Sequence, residues 1–314
     1  MAVNLHGRSL LTLKHYSQEE ILYLLDLADR VKAERRRGDI QQRFRGRTIA
    51  MLFEKLSTRT RCAFETAFGE EGGHPVFLSS NDIHLGVKET VEDTARVLGR
   101  MFDAIEFRGF DQNVVETFAE CSGVPVYNGL TDLYHPTQVL ADLQTLREAT
   151  GGLAGKSITY VGDGRNNVAR SLMIGCAKVG AHFSVAAPQS LQPDRDTVQQ
   201  ARSYSEDSGS KILISTDPAE VVPQSDAIYT DVWVSMGEEQ QKAERLELLA
   251  PYRVTAEMMR RSGKAGTVFL HCLPAVRGNE VTAEVMDGPQ SRIWDQAENR
   301  KHTIKALMIA TLLR

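Results

Sequence analysis

Residues 48–61 have the sequence TIAMLFEKLSTRTR, which is typical of a strand followed by a helix in an α/β fold. The apolar run from Thr48 to Phe53 predicts a buried strand, and the hydroxyl residues after it predict the capped start of a helix. Free backbone N–H groups and the positive end of the helix dipole gather at such a start. Further donors come from the side chains of Ser57, Thr58, Arg59 and Thr60. The segment therefore suits a phosphate group, while an ordinary helix cap with surface arginines is the alternative.

On both sides of this segment, short apolar runs alternate with helical patterns, beginning with an amphipathic helix from Gln18 to Lys32. Further strands are predicted at Val76 to Leu78, Ala104 to Phe107, Pro125 to Tyr127, Ser157 to Val161, Phe183 to Ala187, Lys211 to Ile214, Ala227 to Tyr229 and Val268 to His271. The order predicts an α/β fold with parallel sheets. The glycine-rich stretch at 151–155 predicts a boundary between domains 1–150 and 151–296, and a closing helix is predicted at 297–314.

The composition limits the classes of function. A chain of 314 residues has room for about two domains, and 42% hydrophobic with 25% charged residues is typical of an ordinary globular protein. Lys plus Arg number 37 against 41 Asp plus Glu, a net charge of −4, so no general basic field favours nucleic acid or an anionic membrane. The first residues lack a signal-peptide pattern and the four cysteines lack zinc-site spacing, so we expect a cytoplasmic protein with reduced thiols.

A second polar cluster follows the predicted strands of the first half. Arg108 ends one strand, and the sequence His135-Pro136-Thr137-Gln138 follows another. Because ligands of open α/β sheets bind at the carboxyl ends of the strands, these side chains should meet there. A lone histidine is more often structural, but His, Gln and Arg together could donate to a carbonyl oxygen, as a reaction at an acyl or carbamoyl carbon requires.

In the second half, Asp231 follows a strand and precedes a polar, glycine-ended loop that contains Ser235. Its carboxylate could bind an amino group, although a helix-capping role would be favoured without further context. Cys272 lies at another strand end, where it could be a nucleophile only beside a base; inert buried cysteine is the commoner case.

The turn after the strand that ends at Val161 invites a dinucleotide-binding interpretation because it contains Gly162 and Gly164. Asn167 occupies the place of the third glycine, and the next strand ends without an acidic residue for a ribose. An oxidoreductase is therefore disfavoured, and Asn167 is better used as a donor to a substrate carboxylate near a helix start.

Four ordered motifs resemble the aspartate/ornithine carbamoyltransferase family, and within it the members that use ornithine. They are Ser57 to Arg61, His135 to Gln138, Asp231 to Gly237 and His271 to Pro274. The resemblance spans nearly the whole chain. It implies two three-layer α/β domains with parallel sheets and a C-terminal helix that packs back on the first domain. The first domain, with that helix, would bind carbamoyl phosphate, and the second would bind L-ornithine.

The resemblance also implies roles for individual residues. Those expected to bind carbamoyl phosphate are Ser57, Thr58, Arg59, Thr60, His84, Arg108, His135, Gln138 and Arg300. Those expected to bind ornithine are Asn167, Asp231, Ser235, Met236, Cys272 and Leu273. Arg108, His135 and Cys272 would take part in catalysis, in which the neutral δ-amine attacks the carbamoyl carbon and phosphate leaves to give citrulline.

Neither a metal nor a cofactor is expected, because carbamoyl phosphate is already an activated mixed anhydride. The resemblance implies a homotrimer and leaves further assembly of trimers open. One departure from the family pattern is His84, where Gln is usual and reaches the carbamoyl phosphate of a neighbouring subunit. His84 could donate a similar bond, make the site sensitive to pH, or have no role.

Several alternatives remain open. A putrescine carbamoyltransferase should lack Ser235, Met236 and Gly237, and an aspartate carbamoyltransferase should lack the segment from His271 to Pro274. An NAD-dependent oxidoreductase and a non-catalytic amino-acid-binding protein are the alternatives outside the class.

Overall fold

A computed structural model describes residues 3–39, 41–80, 82, 89–234 and 239–313 of the chain. By internal contacts the chain divides into two compact units, residues 1–141 with 299–314 and residues 142–298. Within the described residues, no helix combines the length and the apolar character needed to cross a membrane.

The first unit is built on a parallel sheet. Its helices and strands are α1 Gln18–Arg37, β1 Thr48–Phe53, α2 Thr58–Gly69, β2 His74–Ser79, α3 Val91–Met101, β3 Ala104–Arg108, α4 Gln112–Cys121, β4 Val126–Leu130 and the first part of α5 Pro136–Thr150. The strand order is β2-β1-β3-β4, and every pairing is parallel. All of β1 except Thr48 is buried, as expected for a strand covered on both faces by helices.

The second unit repeats this architecture with a larger sheet. Its elements are β5 Ser157–Val161, α6 Asn167–Val179, β6 His182–Ala186, α7 Arg195–Ser208, β7 Ile212–Ser215, α8 Pro218–Val221, β8 Ala227–Thr230, α9 Lys242–Leu249, α10 Ala256–Arg261, β9 Val268–His271 and α11 Ala283–Met286. The strand order is β7-β6-β5-β8-β9, again all parallel. The predicted fold class, two α/β domains with parallel sheets, is confirmed.

The last helix, α12, runs from Ile293 to Leu312, so it begins before the predicted residue Ala297. The prediction followed the alternation of polar and apolar residues from 297 onward. Ile293 is fully buried, and Arg292 donates its backbone N–H to the Phe269 carbonyl at 3.0 Å, so tertiary contacts fix the earlier start. From Asn299 onward the helix belongs to the first unit.

Candidate active site

The first cluster of predicted site residues lies at the carboxyl ends of β1 and β3. The chain leaves β1 toward β2 on one side and returns to β3 on the other, which makes this edge a topological switch point. Phe53 and Arg108 are register partners, so Arg108 lies beside the end of β1. The structure therefore brings Arg108 next to the start of α2, as the sequence predicted.

The start of α2 and two arginines form what we call the anion cradle, made of Ser57, Thr58, Arg59, Thr60, Arg108 and Arg300. Ser57 caps the helix, and its Oγ accepts the backbone N–H of Thr60 at 3.3 Å. The buried Thr60 Oγ1 accepts from Arg300 Nη2 at 3.0 Å and from Arg108 Nη1 at 3.4 Å. Two guanidinium groups from distant parts of the chain thus converge on one hydroxyl at the positive end of a helix.

His135 and Gln138 lie at the start of α5, close to the same arginines. Arg300 Nη1 donates to Gln138 Oε1 at 3.0 Å. His135 is buried, and burial together with the positive charges of Arg300, Arg108 and Arg59 holds its pKa well below the usual value. Its ring is therefore neutral near pH 7, so it can donate one hydrogen bond without adding charge.

Glu106 lies near the cradle, and the sequence did not predict it as a site residue. It is fully buried on β3, two residues before Arg108. Burial raises its pKa, while the positive charges of Arg108 and Arg300 act in the opposite direction. In the sequence it is a single acidic residue inside an apolar strand, and nothing local distinguishes it from a residue with an exposed side chain.

In the second unit, Asp231 is the centre of the polar cluster. It directly follows β8, which pairs with β5 at the switch point of this sheet. Its Oδ2 accepts from Asn166 Nδ2 at 3.0 Å, and its Oδ1 accepts from Cys272 Sγ at 3.0 Å. The structure therefore brings Asp231 and Cys272 together, as predicted, and adds Asn166.

Asn166 and Asn167 lie at the start of α6. Asn166 is the N-cap and accepts the backbone N–H of Val168 at 2.7 Å, while Asn167 is the first helical residue and is half-buried. The sequence reasoning selected Asn167 and overlooked its neighbour, because a pair of adjacent asparagines does not reveal which one caps the helix.

Arg245 is a second residue that the sequence reasoning missed in this unit. This buried residue on α9 donates to the Asp163 carboxylate and to the Trp233 carbonyl, which fixes the backbone just after Asp231. No feature of the local sequence indicates this role.

Three residues at the ends of β8 and β9 offer ligand atoms that could hold a metal ion. Asp231, His271 and Cys272 each offer one ligand atom, and these atoms lie within 4.8 Å of one another. However, His271 Nδ1 accepts the backbone N–H of Leu273 at 2.8 Å, and its Nε2 lies 3.4 Å from Glu280 Oε1. Both ring nitrogens thus face protein partners, which favours a structural role for this histidine.

The glycine-rich turn after β5 is explained by packing within the second unit. A Cβ at Gly164 would lie 2.7 Å from Pro193 Cδ and 3.0 Å from the Leu191 carbonyl. The close approach of this neighbouring segment therefore requires glycine there. The weak dinucleotide fingerprint needs no ligand to account for it.

Three predicted site residues, His84, Ser235 and Met236, lie outside the described residues. The other predicted residues fall into the two clusters above. Ser57, Thr58, Arg59, Thr60, Arg108, His135, Gln138 and Arg300 belong to the first unit, and Asn167, Asp231, Cys272 and Leu273 belong to the second.

Comparison with known proteins matches each half of the chain to a family model. Residues 8–148 match the family model described as the carbamoyl-P binding domain of aspartate/ornithine carbamoyltransferase, and residues 154–311 match its Asp/Orn binding domain. Over 313 residues, covering 100% of both chains, the sequence is 63% identical to an ornithine carbamoyltransferase of Caldanaerobacter subterraneus subsp. tengcongensis. It is 62% identical, with the same coverage, to that of Pseudothermotoga lettingae.

Among solved structures, the ornithine carbamoyltransferase from Pyrococcus furiosus matches with a TM-score of 0.96 and 44% identity, covering 99% of both chains. By sequence and by structure alike, the chain is a carbamoyltransferase and belongs to the aspartate/ornithine carbamoyltransferase family, as its four motifs predicted.

Proposed function

We propose that this chain transfers the carbamoyl group of carbamoyl phosphate to the δ-amine of L-ornithine, giving L-citrulline and phosphate. The observation that carries the proposal is the convergence of Arg108 and Arg300 on Thr60 at the start of α2. Such a site suits a dianionic leaving group, because guanidinium forks and free helix N–H groups all donate to phosphate oxygens. The ornithine specificity is supported by the names of the relatives at 63% and 62% identity.

In this proposal the anion cradle holds the phosphate group and neutralises the charge that develops as the carbamoyl–phosphate bond breaks. Each donor is in place before the reaction, so little reorganisation opposes catalysis. Removal of one such donor typically costs about 100- to 1,000-fold in turnover. The Arg300 guanidinium donates to Thr60 and also to Gln138, so it orients both side chains.

We assign the carbamoyl oxygen to Arg108, His135 and Gln138, with Thr60 beside them. The carbonyl oxygen becomes an oxyanion when the amine attacks, and the one N–H group of a neutral imidazole can donate a hydrogen bond to it. The depressed pKa of His135 supports this assignment, because burial and three nearby guanidinium groups keep the ring uncharged.

We assign the α-amino and α-carboxylate groups of ornithine to Asn167, Asp231, Ser235 and Met236, and the region of the δ-amine to Cys272 and Leu273. Asp231 gives this assignment its main support, because the residue is only 7% exposed and its carboxylate can pair with an ammonium group. Asn166 and Cys272 donate to its two oxygens and hold them in one orientation. The attacking δ-amine must be neutral, so we expect the rate to rise with pH as the bound δ-ammonium deprotonates.

The proposal also includes a homotrimer, in which His84 of one chain would reach the carbamoyl phosphate of its neighbour. Exposed apolar side chains on α3, Val97 and Met101, support self-association. Sedimentation velocity of the full chain would test the trimer. A cytoplasmic location is supported by the four cysteines, all of which are free thiols.

Carbamoyl transfer to an acceptor amine tests the function directly. Carbamoyl phosphate is supplied with ornithine, putrescine, aspartate or lysine as the acceptor, and kcat/KM is compared among them. Ornithine should exceed putrescine by at least about 100-fold, because a site that donates to the α-carboxylate, as we propose for Asn167, penalises an acceptor without one. Lysine is one methylene longer and should be poorer by about 10- to 200-fold, and aspartate has no δ-amine to accept the group. Equal use of putrescine would overturn the ornithine assignment, and no carbamoylation of any acceptor would overturn the whole proposal.

A further inference from the structure

Glu106 lies on the same strand as Arg108, and its side chain is fully buried. Residues two apart on a strand share a face, so the carboxyl group is on the face that Arg108 presents to the anion cradle. Neither carboxylate oxygen accepts a hydrogen bond from any described residue. A buried carboxyl group without hydrogen bonds is costly to keep ionised, so its presence here needs an explanation.

The neighbouring strand makes room for this group. The register of β3 and β4 shifts after Phe107, where Gly129 is an extra residue in β4. A Cβ at Gly129 would lie 1.9 Å from Glu106 Oε1 and 3.2 Å from Thr60 Cγ2. The bulge and its glycine therefore create the space in which the carboxyl group lies, directly beside the threonine on which the two arginines converge.

The charges that act on Glu106 are those of the cradle. Arg108 on its own strand and Arg300 on α12 both favour the ionised form, whereas burial favours the neutral form and is the larger effect. The register partners of Glu106 are Met51 on β1 and Tyr127 on β4. The Tyr127 hydroxyl forms a hydrogen bond with the Thr311 hydroxyl. The protonation state of this carboxyl group thus depends on two opposing effects, burial and the charge of two guanidinium groups.

We propose that Glu106 takes up one proton when the anion cradle binds a dianion. In the free protein, Arg108 and Arg300 partly offset the effect of burial and so hold the pKa of Glu106 below the value that burial alone would give. A bound dianion offsets the charge of both arginines and raises that pKa further, so at a pH between the two pKa values a proton moves from solvent water or buffer to one oxygen of Glu106. This inference rests on the proposed function, because it requires the dianion to bind to those two arginines.

The sign of the effect follows from linkage. The anion-bound protein binds the proton more tightly than the free protein, so affinity for the dianion is highest at low pH and falls as pH rises. For a single proton, affinity falls by up to about tenfold per pH unit over the range in which the two states differ. This trend opposes the deprotonation of the δ-ammonium group, and together they give a bell-shaped pH profile with carbamoyl phosphate below saturation.

Sulfate is the probe, because it stays dianionic throughout the range tested and brings no titration of its own. Isothermal titration calorimetry of the full-length protein is performed from pH 6 to 9 in two buffers of different ionisation enthalpy. Wild type should take up protons on binding sulfate, up to one per site, and its affinity should fall with pH. Glu106→Gln should bind sulfate with a flatter pH profile and more tightly than wild type at pH 9, because it mimics the neutral acid.

Glu116→Gln on α4 is the matched control, since its carboxylate accepts from Gln112 at 3.0 Å on the same unit and has no part in the cradle. It should behave as wild type. Any contribution from His135 is common to wild type and Glu106→Gln, so the difference between them isolates Glu106. Equal proton uptake in these two proteins would overturn the inference.

Two further measurements separate the possible failures. Sulfate binding that does not weaken in Arg300→Ala would contradict the phosphate site itself and hence the proposed function. If Glu106→Gln does not fold, infrared difference spectra of wild type with and without sulfate decide the question. A gain in the protonated-carboxyl C=O band on sulfate binding supports the inference, and no gain refutes it.

Discussion

Replacement of Thr60 by valine should remove the hydroxyl on which the two cradle arginines converge, with little change in shape. Thr60 Oγ1 accepts from Arg300 Nη2 at 3.0 Å, a normal length for a charge-assisted bond, and from Arg108 Nη1 at 3.4 Å, which is longer than usual. A bond to a charged group contributes about 1.5–3 kcal/mol. We therefore expect the valine variant to lose about 2–3 kcal/mol of transition-state stabilisation, which lowers kcat/KM for carbamoyl phosphate roughly 30- to 150-fold.

Citrulline formation at varied carbamoyl phosphate and saturating ornithine measures this effect, and Thr60→Ser is the matched control. Serine keeps the acceptor oxygen and loses only a methyl group, so it should retain activity within about fivefold, a loss of about 1 kcal/mol. Thermal unfolding of all three proteins shows whether they are folded. If the valine variant is as active as the serine variant, the hydroxyl does not organise the arginines and the account of the cradle is wrong.

Three other predictions concern positions outside this threonine. Asp231→Asn should raise the KM for ornithine by about 10- to 100-fold, the value of one charge-assisted bond, and leave the KM for carbamoyl phosphate unchanged; equal effects on both would contradict the assignment. Gly129→Ala should lower the free energy of unfolding by about 1–3 kcal/mol in denaturant titrations, because the added methyl group meets Glu106 Oε1. The double variant with Glu106→Ala should regain part of this loss. Burial raises the pKa of Glu70, but Lys305 and Lys301 lower it further, to about 2. Its ionised form therefore stabilises the fold above the unfolded pKa of 4.5, so the Tm of Glu70→Gln should lie below wild type at pH 7 and approach it as pH falls toward 2; a constant difference would exclude this linkage.

The strand–helix segment around Ser57 was predictable because its information is local. The predicted strand from Thr48 to Phe53 coincides with β1, and the predicted hydroxyl cap is Ser57. Arg108 was placed correctly for a related reason, since it ends an apolar run and the carboxyl ends of parallel strands share one edge of the sheet. Local periodicity and capping chemistry were sufficient for these positions.

The missed residues depend on contacts that no local pattern encodes. Glu106 acquires its surroundings from the bulge at Gly129 and from Arg300, which is 194 residues later in the chain (300 − 106). Arg245 acts through a carbonyl and a carboxylate on two other segments. Arg300 itself was identified by resemblance alone. The helical pattern of its segment predicts where the helix lies but not which groups the side chain contacts.

The position of Arg300 near the carboxyl end has a consequence for protein synthesis. The cradle takes Thr60 from the first fifth of the chain and Arg300 from the last helix, which belongs to the same unit. On the ribosome, the first 140 residues can emerge and begin to fold while that helix is still unmade. A growing polypeptide therefore cannot retain the reactive phosphate compound until translation is almost finished, and any truncation before α12 should yield an inert product however well its sheets form.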